Sequence, residues 1–291
     1  MRHLLDIDDL SAAELATVLD LAEQPDPPPV LAGKGVGLVF QKPSLRTRVS
    51  MEMAVVQLGG HPLALQDFEV GLDQREPADD VGRVLSQYCS LLGARVFSHD
   101  AVARLAAASS VPVVNLLSDQ AHPCEILGDL FLLRHRFGSL VGRTVAWVGD
   151  GNNVCQSLLA GAALVGLKVR VACPPGYEPS PAFLAHGGSL LTHDPAEAVA
   201  GADAVYTDVW TSMGQEDEGV ERRRAFAGFT VDDALMARAH PDALFLHCLP
   251  AHRGEEVAAS VIDGPASAVW DQAAARMHAQ RGLLWWLADQ P

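Results

Sequence analysis

Val36-Gly37-Leu38-Val39-Phe40-Gln41-Lys42-Pro43-Ser44-Leu45-Arg46-Thr47-Arg48 is a short apolar run that breaks into a polar loop and then opens a helix. A run with apolar residues on both faces, ended by polar positions, is the pattern of a parallel strand buried between helices. Working outward, His61 to Leu65, Ala94 to Phe97 and Val113 to Leu116 read as further strands. Ser50 to Leu58, Pro77 to Leu91 and Ala101 to Ala108 read as the helices between them, so this half is a parallel βα series. Ahead of it, Ser11 and Glu14 form a capping box before Leu15, Val18, Leu19 and Leu21, and Asp26-Pro27-Pro28-Pro29 stops that helix. A long helical stretch from Pro123 to Phe137 ends at Gly138. The alternation then restarts with strands Thr144 to Val148, Lys168 to Ala172, Ser189 to Thr192, Ala204 to Thr207 and Leu244 to His247. Asp271 to Leu287 reads as a last amphipathic helix. The expected fold is α/β with two parallel sheets. Ligand-binding residues are expected just after the strands, where such sheets open their crevices.

The length of 291 residues and 49% hydrophobic content suit two buried cores and exclude a fibre or a disulfide mini-protein. A net charge of −15 repels phosphate backbones and anionic membrane surfaces, so no nucleic-acid or membrane partner is expected. The lysines are Lys34, Lys42 and Lys168. Arginine carries the rest of the positive charge, as planar forks suited to phosphate or carboxylate. Cys89, Cys124, Cys155, Cys173 and Cys248 are odd in number, contain no C-x-x-C pair and lie in apolar segments, which reads as reduced intracellular thiols. The first residues, Met1-Arg2-His3-Leu4-Leu5-Asp6, show no apolar leader. A cytoplasmic protein is expected.

Several segments carry chemistry. In Ser44-Leu45-Arg46-Thr47-Arg48, a strand-to-helix turn offers free N–H groups, hydroxyls and an Arg fork to a phosphate. The same residues also fit an ordinary capped helix with solvated arginines. Ala121-His122-Pro123-Cys124-Glu125 again sits at a helix start, and its histidine is open to a structural or a catalytic reading. Gly149-Asp150-Gly151-Asn152-Asn153 follows a strand but lacks dinucleotide-binding spacing. Thr207-Asp208-Val209-Trp210-Thr211-Ser212-Met213-Gly214 and Leu246-His247-Cys248-Leu249-Pro250 leave strands directly into loops. No Cys or His stands at zinc-ligand spacing from His247 and Cys248, so no metal is expected there. Arg276, in Ala275-Arg276-Met277-His278, reads by itself as a solvated helix residue.

Taken in order, these segments resemble the aspartate/ornithine carbamoyltransferase family, on its ornithine branch, over essentially the whole chain. Ser44 to Arg48 is similar to the carbamoyl-phosphate loop S-T-R-T-R, and His122-Pro123-Cys124-Glu125 to H-P-x-Q. The segments at 149–153, 208–214 and 247–250 resemble the amine-side motifs. The resemblance implies two α/β domains. One, residues 1–135 with the returning C-terminal helix 271–291, binds carbamoyl phosphate; the other, 136–270, binds the amino acid. It implies a homotrimer or a multiple of trimers, and transfer of the carbamoyl group to L-ornithine, giving L-citrulline and phosphate, with no metal or organic cofactor. On the donor side it implies that Ser44, Leu45, Arg46 and Thr47 hold phosphate, that Arg95 bridges phosphate and carbonyl oxygen, and that His122 donates to that oxygen. Pro123, Cys124, Glu125, Glu69 and Arg276 complete that side. On the other side Asn153, Asp208, Ser212 and Met213 hold the amino acid, while Cys248 and Leu249 face the attacking amine.

Two positions depart from the pattern. Glu125 stands where H-P-x-Q has Gln, and Glu69, in Phe68-Glu69-Val70-Gly71, aligns with a second Gln. A carboxylate about 6 Å from a phosphate, at an effective dielectric of about 20, costs roughly 3 kcal/mol per pair of unit charges. Glu125 is therefore expected to be protonated or paired with an arginine. Failing that, donor or acceptor choice is altered, or the chain is a non-catalytic paralogue.

Overall fold

The structure is a computed structural model that describes residues 2–186, 188–212 and 216–290, and at Glu216 the backbone only. The chain divides into unit 1, Met1–Phe131 with Ala274–Pro291, and unit 2, Leu132–Ala273. Both dividing points fall inside helices, Pro123–Phe137 and Val269–Ala288.

In unit 1, β1 (Gly35–Phe40), β2 (His61–Gln66), β3 (Leu91–Arg95) and β4 (Val113–Leu117) form one parallel sheet in the order β2-β1-β3-β4. β1, β3 and β4 are almost wholly buried, as their two-faced apolar runs require. Beneath the sheet, Val39, Leu92, Ala94 and Val113 pack with Val102, Leu105 and Val81 from the flanking helices. The chain order reverses between β1 and β3, so their C-terminal ends, Phe40 beside Arg95, frame this sheet's crevice.

The C-terminal helix docks on unit 1 through two glycines. A Cβ at Gly282 would lie 2.5 Å from the Val18 carbonyl oxygen, and one at Gly128 would lie 2.9 Å from Arg276 Cα. Both contacts need a bare backbone. The second seats Arg276 against the Pro123–Phe137 helix.

In unit 2, β5 (Thr144–Val148), β6 (Lys168–Ala172), β7 (Ser189–Thr192), β8 (Ala204–Thr207) and β9 (Leu244–His247) form a parallel sheet in the order β7-β6-β5-β8-β9. Its core gathers Val148, Val205, Phe245, Phe226, Trp210 and Ile262. Here the order reverses between β5 and β8, which places the loops after Val148 and Thr207 side by side.

Several expected boundaries move. The helix expected from Ser50 begins at Leu45, because the Ser44 hydroxyl caps it by accepting the Thr47 N–H at 3.2 Å. The helix expected over Pro77 to Leu91 ends at Leu85, and the strand expected over Ala94 to Phe97 runs instead over Leu91–Arg95. A short apolar run does not by its period distinguish buried helix from buried strand.

Candidate active site

The donor-side residues of unit 1 gather at the β1/β3 switch point. Ser44 to Thr47 form the cap and first turn of the Leu45–Gln57 helix, with the Leu45 side chain 76% exposed and its backbone at the helix start. Arg95 closes β3, is buried, and donates from Nη1 to Thr47 Oγ1 at 3.4 Å. His122 lies on the turn before the Pro123–Phe137 helix. Ser118 Oγ and Asn115 Nδ2 hold that turn by bonding the Ala121 carbonyl oxygen. Burial, reinforced by the positive charges of Arg95, Arg276 and Arg46, holds the His122 imidazole well below its ordinary value of 6.5. It is therefore neutral, with three arginines around it.

Glu125 is buried one helical turn on. Its Oε2 is 3.3 Å from His122 Nε2 and accepts a hydrogen bond from Arg276 Nη2. The carboxylate that replaces the family's Gln is thus paired, and Arg276 is a buried partner rather than the solvated residue its own segment suggests. Cys124 is buried, donates toward the Asn115 carbonyl oxygen at 3.5 Å, and has its thiol pushed up to about 12 by burial, so it is no thiolate. Glu69 is engaged locally instead. Exposed, it accepts the Gln66 N–H at 2.7 Å at the start of the Asp67–Val70 turn. Among the described residues no contact joins it to the Arg95–His122–Arg276 group.

The acceptor-side residues of unit 2 gather at the β5/β8 switch point and at the end of β9. Asn152 caps the Asn153–Val165 helix through Oδ1 and donates from Nδ2 to Asp208 Oδ2 at 2.8 Å. Asp208 Oδ1 accepts the Val209 N–H at 2.8 Å and the Cys248 thiol at 2.9 Å. A buried carboxylate is thus fixed by three donors from three segments. Asn153 is the first residue of its helix, and Ser212 is half-buried. Met213 lies outside the described residues.

Sequence reasoning missed the supports of this half. Arg222 is buried and donates from Nη1 to Asp150 Oδ2 and to the Trp210 carbonyl oxygen, both at 2.8 Å, and from Nε to Glu218. It pins the 208–212 segment to the 149–153 turn. Burial pushes the Asp150 carboxyl up while Arg222 pulls it down, the former prevailing. Arg222 stands in the run Arg222-Arg223-Arg224, where nothing local separates a buried arginine from its solvated neighbours. His247 is also fully engaged. Its Nδ1 accepts the Leu249 N–H at 2.8 Å, which leaves the proton on Nε2, 3.1 Å from Glu256 Oε1.

Asp208, His247 and Cys248 bring one ligand atom each within 4.8 Å of one another, close enough for a metal ion. Both ring nitrogens of His247 are already committed, so a metal would have to displace one of those bonds.

Family models match both halves of the chain. That for "aspartate/ornithine carbamoyltransferase, carbamoyl-P binding domain" covers residues 2–135, and that for the "Asp/Orn binding domain" covers residues 141–287. Ornithine carbamoyltransferase of Acidothermus cellulolyticus is 50% identical over 99% of this chain and 97% of its own. That of Thermus thermophilus is 50% identical over 97% and 95%. Among solved structures, the Thermus thermophilus ornithine carbamoyltransferase matches with a TM-score of 0.93 at 48% identity, covering 99% of both chains. The Pyrococcus furiosus enzyme matches with a TM-score of 0.93 at 45% identity, covering 97% of this chain and 96% of that one.

Proposed function

The chain belongs to the aspartate/ornithine carbamoyltransferase family, and from that membership we propose how its residues divide one reaction. It transfers the carbamoyl group of carbamoyl phosphate to the side-chain amine of L-ornithine, giving L-citrulline and phosphate. The amine nitrogen attacks the carbamoyl carbon, the C–O bond to phosphate breaks, and the amine gives up a proton. Negative charge grows on the carbonyl oxygen and on the leaving phosphate, so catalysis needs preset cations and N–H donors around both.

The observation that carries the assignment is the buried group of Arg95, His122 and Arg276 beside the Ser44–Thr47 turn. Ser44, Arg46, Thr47 and the Leu45 N–H hold phosphate at the positive end of their helix. Arg95 spans phosphate and carbonyl oxygen. Neutral His122 donates its N–H to that oxygen, Glu125 accepts from the carbamoyl NH₂, and Pro123 and Cys124 shape the turn that presents them. Arg276 offsets the Glu125 charge, which supports the ordinary donor over a more cationic one. In unit 2, Asn153, Asp208, Ser212 and Met213 take the amino and carboxylate groups of ornithine, and Cys248 with the Leu249 carbonyl meets the attacking amine. Proximity of the two substrates supplies much of the rate.

Citrulline formation with carbamoyl phosphate against ornithine, lysine, putrescine and acylated ornithines tests this. Turnover with ornithine foremost is expected, and no citrulline at saturating donor would refute it.

A homotrimer is part of the same proposal. Leu45, Val49 and Met53, spaced one turn apart on the Leu45–Gln57 helix, are 76%, 49% and 42% exposed, with Val56 at 50%. Such an apolar stripe supports burial against another copy. A solution mass three times 30.9 kDa, or a multiple of that, is expected by light scattering. We place the enzyme in the cytoplasm and in arginine biosynthesis. Five cysteines, none in a disulfide among the described residues, support the compartment, and among those residues no helix is long and apolar enough to cross a membrane.

A further inference from the structure

Leu249 sits at φ +60°, a left-handed conformation that an L-residue with a branched side chain rarely adopts, directly beside Cys248. Something must hold it there, because strain of this kind persists only where the surroundings over-determine it. The holding group is a relay of two buried side chains. The Leu249 N–H donates to His247 Nδ1 at 2.8 Å, and His247 Nε2 is 3.1 Å from Glu256 Oε1. The same Oε1 accepts the His252 N–H at 2.6 Å, so one carboxylate ties down both ends of the Cys248–Ala251 loop. Glu256 and His247 are 0% and 1% exposed, and among the described residues Glu256 Oε2 has no hydrogen-bond partner. A fully buried carboxylate with one oxygen unsatisfied is costly and calls for a reason.

We propose that Glu256 is a positioning residue for the amine half of the reaction, acting through His247 to set the Leu249 carbonyl and the Cys248 thiol. A neutral imidazole has one N–H. An acceptor facing Nε2 keeps the proton there and leaves Nδ1 bare to receive the Leu249 N–H. Without that acceptor the other tautomer points a donor at Leu249, the bond is lost, and the strained residue relaxes. Cys248, which donates to Asp208 Oδ1 at 2.9 Å, then moves with its neighbour. Glu256 touches neither substrate in this scheme.

The inference rests on the carbamoyltransferase reading, so the test has one arm in activity and one outside it. In the first, both substrates are varied in steady state for wild type, Glu256→Met, Glu256→Gln and His247→Gln. Met approximates the volume of Glu without its acceptor. Gln at 256 restores an acceptor without charge. Gln at 247 keeps a donor toward Glu256 but offers nothing to the Leu249 N–H, and so serves if Glu256→Met does not fold. Glu256→Met and His247→Gln should raise the KM for ornithine about tenfold, the effect of one buried hydrogen bond, with the KM for carbamoyl phosphate unmoved. Glu256→Gln should recover most of the loss. In the second arm, alkylation of Cys248 by iodoacetamide is followed by mass spectrometry, the other four thiols being buried. It should quicken in Glu256→Met and return toward wild type in Glu256→Gln. Wild type that forms no citrulline would refute the carbamoyltransferase reading, while the alkylation rates still judge the relay. Active wild type with equal shifts in both KM values, or with Glu256→Gln as impaired as Glu256→Met, would overturn the relay and leave that reading standing.

Discussion

The donor and acceptor halves solve opposite electrostatic problems with the same sheet geometry. In unit 1, Arg46, Arg95 and Arg276 surround a neutral histidine, and Glu125 is the carboxylate that joins them. In unit 2, the Asp208 carboxylate takes donors from Asn152, Val209 and Cys248, and a second buried carboxylate, Asp150, is held by Arg222. Each cluster sits where its parallel sheet reverses strand order. The sign of the field there is set by a few buried residues and not by the net charge of −15. The net charge disfavours a polyanion, while three arginines stand around the one histidine of the donor half's cluster.

The contrast can be broken experimentally, beginning with the largest effect. If the donor half works by preset positive charge, Arg95→Met should lower kcat by about a hundredfold to a thousandfold with the fold intact by circular dichroism. A loss confined to KM would show that Arg95 only binds. In the acceptor half, Arg222→Met leaves Asp150 buried without its cation. It should cost about 3 kcal/mol in urea unfolding, partly restored by adding Asp150→Asn. Ornithine KM should rise with it, since Trp210 loses its anchor; carbamoyl phosphate KM should not.

Glu125→Gln sharpens the comparison by removing the donor half's carboxylate. Freed from it, Arg276 should turn to phosphate, lowering the KM for carbamoyl phosphate by about threefold, less than the unscreened charge repulsion because the pair is already compensated. An increase would mean that Glu125 is needed as a charged acceptor.

The smallest effect concerns pH. The folded protein holds His122 well below 6.5, so as pH falls through that ordinary value the unfolded chain takes up a proton that the native state refuses. Stability should therefore fall with acidification from about pH 6.5 downward, and His122→Asn should flatten that slope in thermal melts taken across pH. An unchanged slope would place the titration elsewhere, His3 and His278 being shifted the same way by burial.

Much of this was legible in the chain. The runs Thr144 to Val148, Lys168 to Ala172 and Leu244 to His247 coincide with strands to the residue: the first and last are nearly wholly buried apolar runs, and the second alternates polar Lys168 and Arg170 with buried Val169 and Val171. The helix at Ser44 was misplaced by five residues because its first turn is polar, and a hydroxyl cap rather than apolar periodicity starts it. Arg222, His247 and Glu256 were overlooked as supports because nothing local marks them. An arginine in a charged run and a histidine at a strand end look alike whether solvated or buried.

The sequence by itself determined the two parallel sheets and the order of the loops that leave them, since burial imposes a period that neighbouring residues must share. Whether Glu125 burdens the donor half or is neutralised was decided only by tertiary structure. Its partner, Arg276, is 151 positions away and reaches it because two helices approach closely at Gly128. Charge compensation depends on which distant side chain arrives at a point in space, and periodicity along the chain does not record it.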